Sequence, residues 1–408
     1  MKQKVQPHKP FLRRIKLERI LSFGPSPMVL ELGDLNVLIG PNASGKSNLI
    51  EALSLMRATP IPPSSNNDLR GMIRRGGGAR RWLWRGESKG YASIDFLVHH
   101  PRVQGGLRHL LDFSDDQYGF QLAGEGIGYE KHPAPDFYYR FEQGRHTLIA
   151  GGRAKPLQRE SVNPDLSILA QRHALLAGPD AERMLSEHYP EIAYLADSYE
   201  KIRIYRDWTF GRMMILRAPQ PSDMRNDRLE EDFSNLGLFL SRLRKSPKIK
   251  AAILDALKDL YDGVSDFEPV VEGGTVQVFF TEGDLSVPAT RLSDGTLRYL
   301  CLLAILCDPE PPPLICIEEP ELGLHPDILP KLADLLMQAS LRTQLIVTTH
   351  SDVLIDAMTD RPEVVVVCEK HQGETKMRRL EKKELAVWLE KYRLGELWTS
   401  GQLGGTRW

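Results

Sequence analysis

Short apolar runs, each closed by glycine, proline or acidic residues, fill both ends of the chain, and amphipathic helical spacing fills its middle. Residues 11–23 read as a strand and its turn. Residues 28–39 read as a strand pair ending in Leu35, Val37, Leu38 and Ile39, apolar enough to be buried on both faces. Leu49, Ile50, Leu53 and Met56 recur at helical spacing and predict a helix over 46–57. A Pro-, Ser- and Asn-rich loop at 60–68 precedes strands at 91–98 and 136–150. From Leu166 to about Lys258 the pattern is helical, broken at Pro190 and again over 218–227. Strands return at 267–271, 275–280 and 285–287. A helix (296–307), a buried strand (313–317), a helix (327–339), strands (344–349, 363–368, 375–380) and a helix (382–392) follow. Strands alternating with helices predict an α/β fold with a mainly parallel sheet, an antiparallel β subdomain and a helical insertion. The expected divisions are 1–160, 161–260 as a helical lid, and 261–408.

The bulk numbers change this picture little. With 408 residues, 41 % hydrophobic, 26 % charged and net charge −1, the chain has an ordinary globular composition and no global field toward nucleic acid. Cys301, Cys307, Cys316 and Cys368 form no C-x-x-C pair and are expected as free thiols, mostly in apolar runs. The sequence shows no apolar h-region at its start and no run of about 18 apolar residues, so a cytoplasmic protein is expected.

Four segments carry chemistry. In Gly40-Pro41-Asn42-Ala43-Ser44-Gly45-Lys46-Ser47, the glycines let backbone N–H groups close around phosphate oxygens, and the helix that follows adds its positive end. Lys46 should reach the β- and γ-phosphates of ATP, and Ser47 should hold Mg²⁺, with Asn48 completing the loop's lining. In Leu314-Ile315-Cys316-Ile317-Glu318-Glu319, an apolar strand ends in two carboxylates: Glu318 for the Mg²⁺ shell and Glu319 to orient the attacking water. Ser293 and Gly295 open a helix, a start suited to anions. His350, after the strand Leu345–Val347, stands where a side chain can meet a γ-phosphate.

In this order the four segments resemble the ATP-binding cassette ATPases, specifically the branch typified by RecF, SMC proteins and OLD-family ATPases. The resemblance implies a P-loop NTPase head that binds ATP and Mg²⁺ and hydrolyses ATP. It makes Ser293 and Gly295 the signature motif, acting on ATP held by a second subunit in a head-to-tail homodimer, and His350 the switch histidine. Pro320–Pro326 is similar to the D-loop of RecF- and OLD-like ATPases, and Gln158 is the candidate Q-loop glutamine, with Gln171 as its competitor. Leu394-Gly395-Glu396-Leu397-Trp398 with Gly404-Gly405 resembles the ends of compact bacterial predicted ATPases. Transporter cassettes place the phosphate loop and the signature much closer together than Gly45 and Gly295 stand here. The residues after His350 leave no room for the nuclease domain fused in OLD proteins, so any effector would be a separate partner.

Arg70, Arg74, Arg75, Arg80, Arg81, Arg85 and Lys89 surround Trp82 and Trp84 near a triple glycine. That mixture suits DNA or RNA, and equally a solvated hairpin whose tryptophans pack on the protein. Arg242, Arg244, Lys245, Lys248 and Lys250 read as solvated helix surface, while Arg203, Tyr205, Arg206, Trp208, Arg212 and Arg217 form a third cluster of undecided role. The expected function is an ATPase driving or gating a DNA-related process such as repair or phage defence. A nucleotide-gated scaffold with little turnover and a transporter energiser are the alternatives.

Overall fold

The computed structural model describes residues 9–63, 65–84, 90–116, 119–130, 137–150, 153–157, 162–172, 187–209, 211 and 215–405. Gln158, Arg85, Lys89 and Arg212 lie outside them. Two compact units emerge, each assembled from separated stretches of chain: one from residues up to Ile202 with Val366–Leu380 and the residues from Leu403 on, the other from Arg203–Val365 with Glu381–Gln402.

The first unit holds β1 (Leu12–Glu18), β2 (Met28–Glu31), β3 (Leu35–Ile39), β4 (Tyr91–His100), β5 (Val103–Asp116), β6 (Gly119–Tyr129), β7 (Phe137–Glu142), β8 (Arg145–Ala150) and β9 (Arg153–Pro156). All but β3 join one sheet in the order β2-β1-β4-β5-β6-β7-β8-β9, antiparallel at every pairing. Its helices are α1 (Lys46–Ala58), α2 (Leu69–Arg75), α3 (Ala79–Trp82) and α4 (Pro190–Lys201). Pro190 begins α4 instead of breaking a helix, because at the first helical position its missing N–H costs nothing. Tyr199 of α4 is fully buried and meets Phe11 and Phe96 edge-on. Its hydroxyl reaches His109, which in turn contacts Glu125; Glu125 accepts from Ser167 and from the Ile168 N–H. Strands β5 and β6 were not expected from the sequence, and they are the longest in this sheet, 14 and 11 residues.

In the second unit β10 (Arg203–Tyr205), β15 (Leu314–Glu318) and β16 (Gln344–Thr348) pair in parallel, with β15 central. Between them in sequence come β11 (Gln220–Pro221), β12 (Val264–Glu272), β13 (Thr275–Glu282) and β14 (Leu285–Pro288), an antiparallel group. Around these lie α5 (Leu236–Arg244), α6 (Pro247–Lys258), α7 (Asp294–Leu306), α8 (Leu329–Ala339), α9 (Asp352–Asp356), α10 (Lys382–Leu389) and α11 (Leu394–Thr399). Helix α7 is the core of this unit: every residue from Thr296 to Leu306 is buried, Arg298 among them. The stretch expected to be mostly helical also contains strand β10, whose three residues are all buried beside β15. The first unit is completed by β17 (Val365–His371), which pairs antiparallel with β18 (Glu374–Arg379) and lies next to β3. The cysteines are free, with Cys301, Cys316 and Cys368 buried as expected. No helix among the described residues is long and apolar enough to cross a membrane.

Candidate active site

Strand β3 is buried at every position, so its carboxyl end is a fixed platform. From it the chain turns through Gly40 (φ 147°), Ala43 (φ 63°) and Gly45 (φ 102°) into α1. A Cβ on Gly40 would stand 2.2 Å from the Cys368 carbonyl, and one on Gly45 2.2 Å from Thr375 Oγ1, so both positions demand glycine on space as well as on φ. Lys46 is 6 % exposed, and its Nζ donates to the carbonyls of Gly40 (2.8 Å) and Pro41 (3.0 Å), spanning the loop's mouth. The Ser44 hydroxyl is buried and, among the described residues, has no hydrogen-bond partner. A buried hydroxyl without a partner and an ammonium resting on its own loop's carbonyls are features an incoming phosphate would complete. Ser47 is exposed on the first turn of α1.

The loop is backed from far along the chain. Thr375 Oγ1 donates to the Ser44 carbonyl (3.0 Å) and lies 2.7 Å from Ser22 Oγ. The Asn48 amide donates to Ser22 Oγ (2.6 Å), so Asn48, expected at the nucleotide, braces the loop's support. Gln171 closes its own loop, donating to the Asn163 and Leu166 carbonyls and accepting from the Asn163 N–H.

The carboxylates stand in the second unit, at the end of β15. Glu318 completes the strand, and its carbonyl accepts from the Trp208 indole (2.8 Å). Glu319 follows in the left-handed region, φ 46°, a conformation costing a non-glycine residue roughly 1–2 kcal/mol. It is held there from both sides. Its N–H donates to the Thr348 carbonyl (3.0 Å) and to Thr348 Oγ1 (3.2 Å), and its carbonyl accepts from Arg298. Arg298 is fully buried, stacks over the Trp208 ring at 4.1 Å, and has its pKa pulled down to about 10 by desolvation. Trp208 in turn stacks on Phe233 with 5.3 Å between centroids.

His350 Nε2 lies 3.8 Å from Glu319 Oε1. The histidine's own N–H donates to Glu321 Oε1 (2.8 Å), which also accepts from Thr349 Oγ1 (2.7 Å). Burial raises the Glu321 pKa against these two hydrogen bonds. Ser293 caps α7 by accepting from the Thr296 N–H (3.1 Å). A Cβ on Gly295 would come within 2.9 Å of the Gly323 carbonyl, so the glycine expected in the signature and the segment expected as the D-loop pack backbone to backbone. Asp294 is anchored by Arg217 (2.5 Å) and by the Gly211 N–H (2.8 Å), and the Arg217 contact leads in pulling its pKa down. Ser293 itself remains exposed.

Sequence reasoning missed Arg298, Glu321, Trp208 and Thr375 as parts of these arrangements. Arg298 left a signal as a lone arginine among apolar neighbours, Trp208 stood in the third basic and aromatic cluster, and Glu321 in the segment similar to a D-loop. In the basic segment, Arg74, Arg75, Arg80 and Arg81 are exposed. Trp82 is buried, however, and donates to the Ile73 carbonyl. The Gly77 and Gly78 N–H groups close the end of α2 onto Arg74 and Ile73. Trp82 is therefore core, not a stacking platform. Among the described residues no group of three or more His, Cys, Asp or Glu could hold a metal by itself.

A phosphate loop on a buried strand, an acid pair ending a parallel strand, a signature-type helix start and a histidine closing the next strand together mark an ABC-type P-loop ATPase of the RecF/SMC-like branch. The chain belongs to the family described as "AAA domain, putative AbiEii toxin, Type IV TA system", whose model matches residues 35–356. It is 30 % identical over 206 residues to the DNA replication and repair protein RecF of Stenotrophomonas maltophilia (strain R551-3), covering 45 % of this chain and 50 % of that protein. It is 32 % identical over 98 residues to the chromosome partition protein Smc of Synechocystis sp. (strain ATCC 27184 / PCC 6803 / Kazusa), covering 22 % and 7 %. The chain thus spans about half the length of the RecF relative and a small part of the Smc. Among solved structures, an Smc head bound to the C-terminal winged-helix domain of ScpA matches with TM-score 0.52 at 16 % identity, covering 92 % of this chain and 99 % of that one. An Smc head with an extended coiled coil, bound to the C-terminal domain of ScpA derived from Pyrococcus furiosus, matches with TM-score 0.50 at 13 % identity, covering 94 % and 99 %. These likenesses establish the fold.

Proposed function

We propose that this chain hydrolyses ATP in a head-to-tail dimer and uses the cycle to drive or gate a DNA-related process. Gly40–Ser47 bind the triphosphate, and Lys46 moves from its own carbonyls to the β- and γ-phosphates. Ser47 and Glu318 are the groups that would hold Mg²⁺, which neutralises charge building on the phosphates. Glu319 orients a water and takes its proton as the water oxygen bonds to the γ-phosphorus and the bond to the ADP oxygen breaks. His350 steadies the γ-phosphate oxygens. Ser293 and Gly295 of a second copy close over the same nucleotide. The observation that carries this is Glu319 itself: a carboxylate held in left-handed backbone at a strand end, with a histidine beside it, is strain kept at one spot.

Glu319→Gln tests it. Losing the proton acceptor should cut turnover by about a hundredfold or more, while ATP should hold the variant as a dimer measurable by light scattering. A variant that stays monomeric with ATP would remove the sandwich. Phosphate release unchanged by Lys46→Ala would favour the nucleotide-gated scaffold instead.

The DNA assignment is supported by the RecF relative's role in replication and repair and by the exposed arginines Arg74, Arg75, Arg80 and Arg81. The family's description names a putative toxin of a toxin–antitoxin system; phage defence with a separate effector partner is the form of the process that stands beside repair in this proposal. A cytoplasmic location fits this role.

A further inference from the structure

The turn Leu403–Gly405 lies against the phosphate loop. Gly405 donates its N–H to Glu369 Oε1 (2.8 Å), and Arg378 Nη2 donates to the Leu403 carbonyl (3.1 Å), so β17 and β18 grip the turn with one carboxylate and one guanidinium. Gly404 and Gly405 take φ 76° and 59°. A Cβ on Gly405 would stand 2.9 Å from Val367 Cγ1, 3.4 Å from the Gly40 Cα and 3.5 Å from the Cys368 carbonyl. A Cβ on Gly40 would collide with that same carbonyl at 2.2 Å. Three backbones therefore meet beside the Val367 side chain: the phosphate loop, β17 and the turn. They meet at the peptide whose carbonyl receives Lys46 Nζ.

If ATP is to draw Lys46 off that carbonyl, Gly40 loses its hydrogen bond to the ammonium, and its position then depends on what stands behind it. We propose that the Leu403–Gly405 turn, clamped by Glu369 and Arg378, is a positioning part of the nucleotide site that holds Gly40 in place while Lys46 exchanges carbonyl for phosphate. Glu369 and Gly405 act through Gly40 and touch no substrate. This rests on the ATPase assignment above.

The test compares Gly405→Ala with Gly401→Ala in the full chain. Gly401 also has positive φ (81°), so both alanines carry backbone strain, and it is the Cβ on Gly405 that would stand 3.4 Å from the Gly40 Cα. Glu369→Ala removes the clamp and strains no backbone. Gly405→Ala and Glu369→Ala should each raise the KM for ATP by about tenfold, the scale of one charge-assisted hydrogen bond, with kcat nearly unchanged. Gly401→Ala should lower the melting temperature without nucleotide much as Gly405→Ala does, yet keep the wild-type KM. Equal KM values in Gly405→Ala, Glu369→Ala and wild type would overturn the positioning role and leave the ATPase assignment standing. A wild-type chain that binds no ATP would overturn both.

Discussion

Arg298 donates from its guanidinium to the main-chain carbonyl of Glu319, although the first belongs to the helix opened by Ser293 and the second directly follows the strand β15. The indole of Trp208 lies under that guanidinium and donates to the Glu318 carbonyl, so one packed pair fixes two consecutive peptides. The helix carrying the signature residues and the carboxylate expected to orient water therefore cannot move independently.

Replacing Arg298 should act on chemistry more than on nucleotide affinity. Arg298→Lys keeps a charge but loses the planar fork that both stacks on the indole and reaches the carbonyl. The kcat should fall about ten- to a hundredfold, with KM changed by less than about threefold. Steady-state phosphate release measures both, and an unaltered kcat would show that Glu319 holds its conformation without this anchor.

Strain at Glu319 makes a second expectation. Glu319→Gly removes the cost of a side chain at φ 46° while deleting the carboxylate. The second unit should become more stable by about 1 kcal/mol in chemical denaturation, with turnover abolished. Glu319→Gln should leave stability near wild type. A glycine variant that unfolds more easily would mean that the carboxylate's contacts outweigh the backbone strain.

Glu321 gives a pH dependence. Its folded-state pKa is raised, chiefly by burial, so the folded protein keeps this proton to higher pH than the unfolded chain does. Its contribution to stability is therefore full below the ordinary glutamate value, about 4.3, and is lost as pH rises through the higher folded value. Glu321→Gln is neutral throughout and can still accept from Thr349 and His350. Melting of the two proteins across mildly acidic to neutral pH should shift in favour of the glutamine variant as pH rises. A constant difference between them would place the carboxylate in a less desolvated setting.

Thr375 supports the phosphate loop without standing in it. Thr375→Val keeps the shape and loses the hydrogen bond to the Ser44 carbonyl and the contact with Ser22. The KM for ATP should rise about three- to tenfold, and Thr375→Ser should restore it. Equal KM for valine and threonine would show the loop to be rigid on its own.

The exposed arginines offer a direct test of nucleic-acid contact. Changing Arg74, Arg75, Arg80 and Arg81 together to Ala should weaken DNA binding at every sequence tried. It should also flatten the salt dependence, each lost phosphate contact reducing the slope of log K against log salt by about 0.9. A slope equal to wild type would assign these residues to ordinary solvated surface, in keeping with the packed Trp82.

What could be read without coordinates followed the strength of local signals. Strands β3, β15 and β16 are continuous apolar runs, and α1 and α7 begin at residues that demand a helix start, so the elements that carry the expected phosphate loop, acid pair and signature were legible at once. Strands β5 and β6 were not, because Gly105, Gly106, Gly124, Gly126 and Gly128 dilute their strand preference and pairing within the sheet decides their conformation. The supporting residues were hidden for a different reason. Arg298, Trp208 and Thr375 act through contacts between segments remote in sequence, and residue type alone does not announce such contacts.

The brace behind the phosphate loop has a consequence for how the protein comes into being. Ser22 and Thr375, which touch, are 353 positions apart, and Thr375 is 331 positions from the Ser44 carbonyl it supports. A ribosome completes the loop's own eight-residue motif long before the brace emerges, because Thr375 is made 331 positions after Ser44. Contacts this distant close late and slowly. Over that whole stretch of synthesis a nascent chain would carry the motif with its backing missing, so tight nucleotide binding would itself report that the polypeptide has been made through to β18.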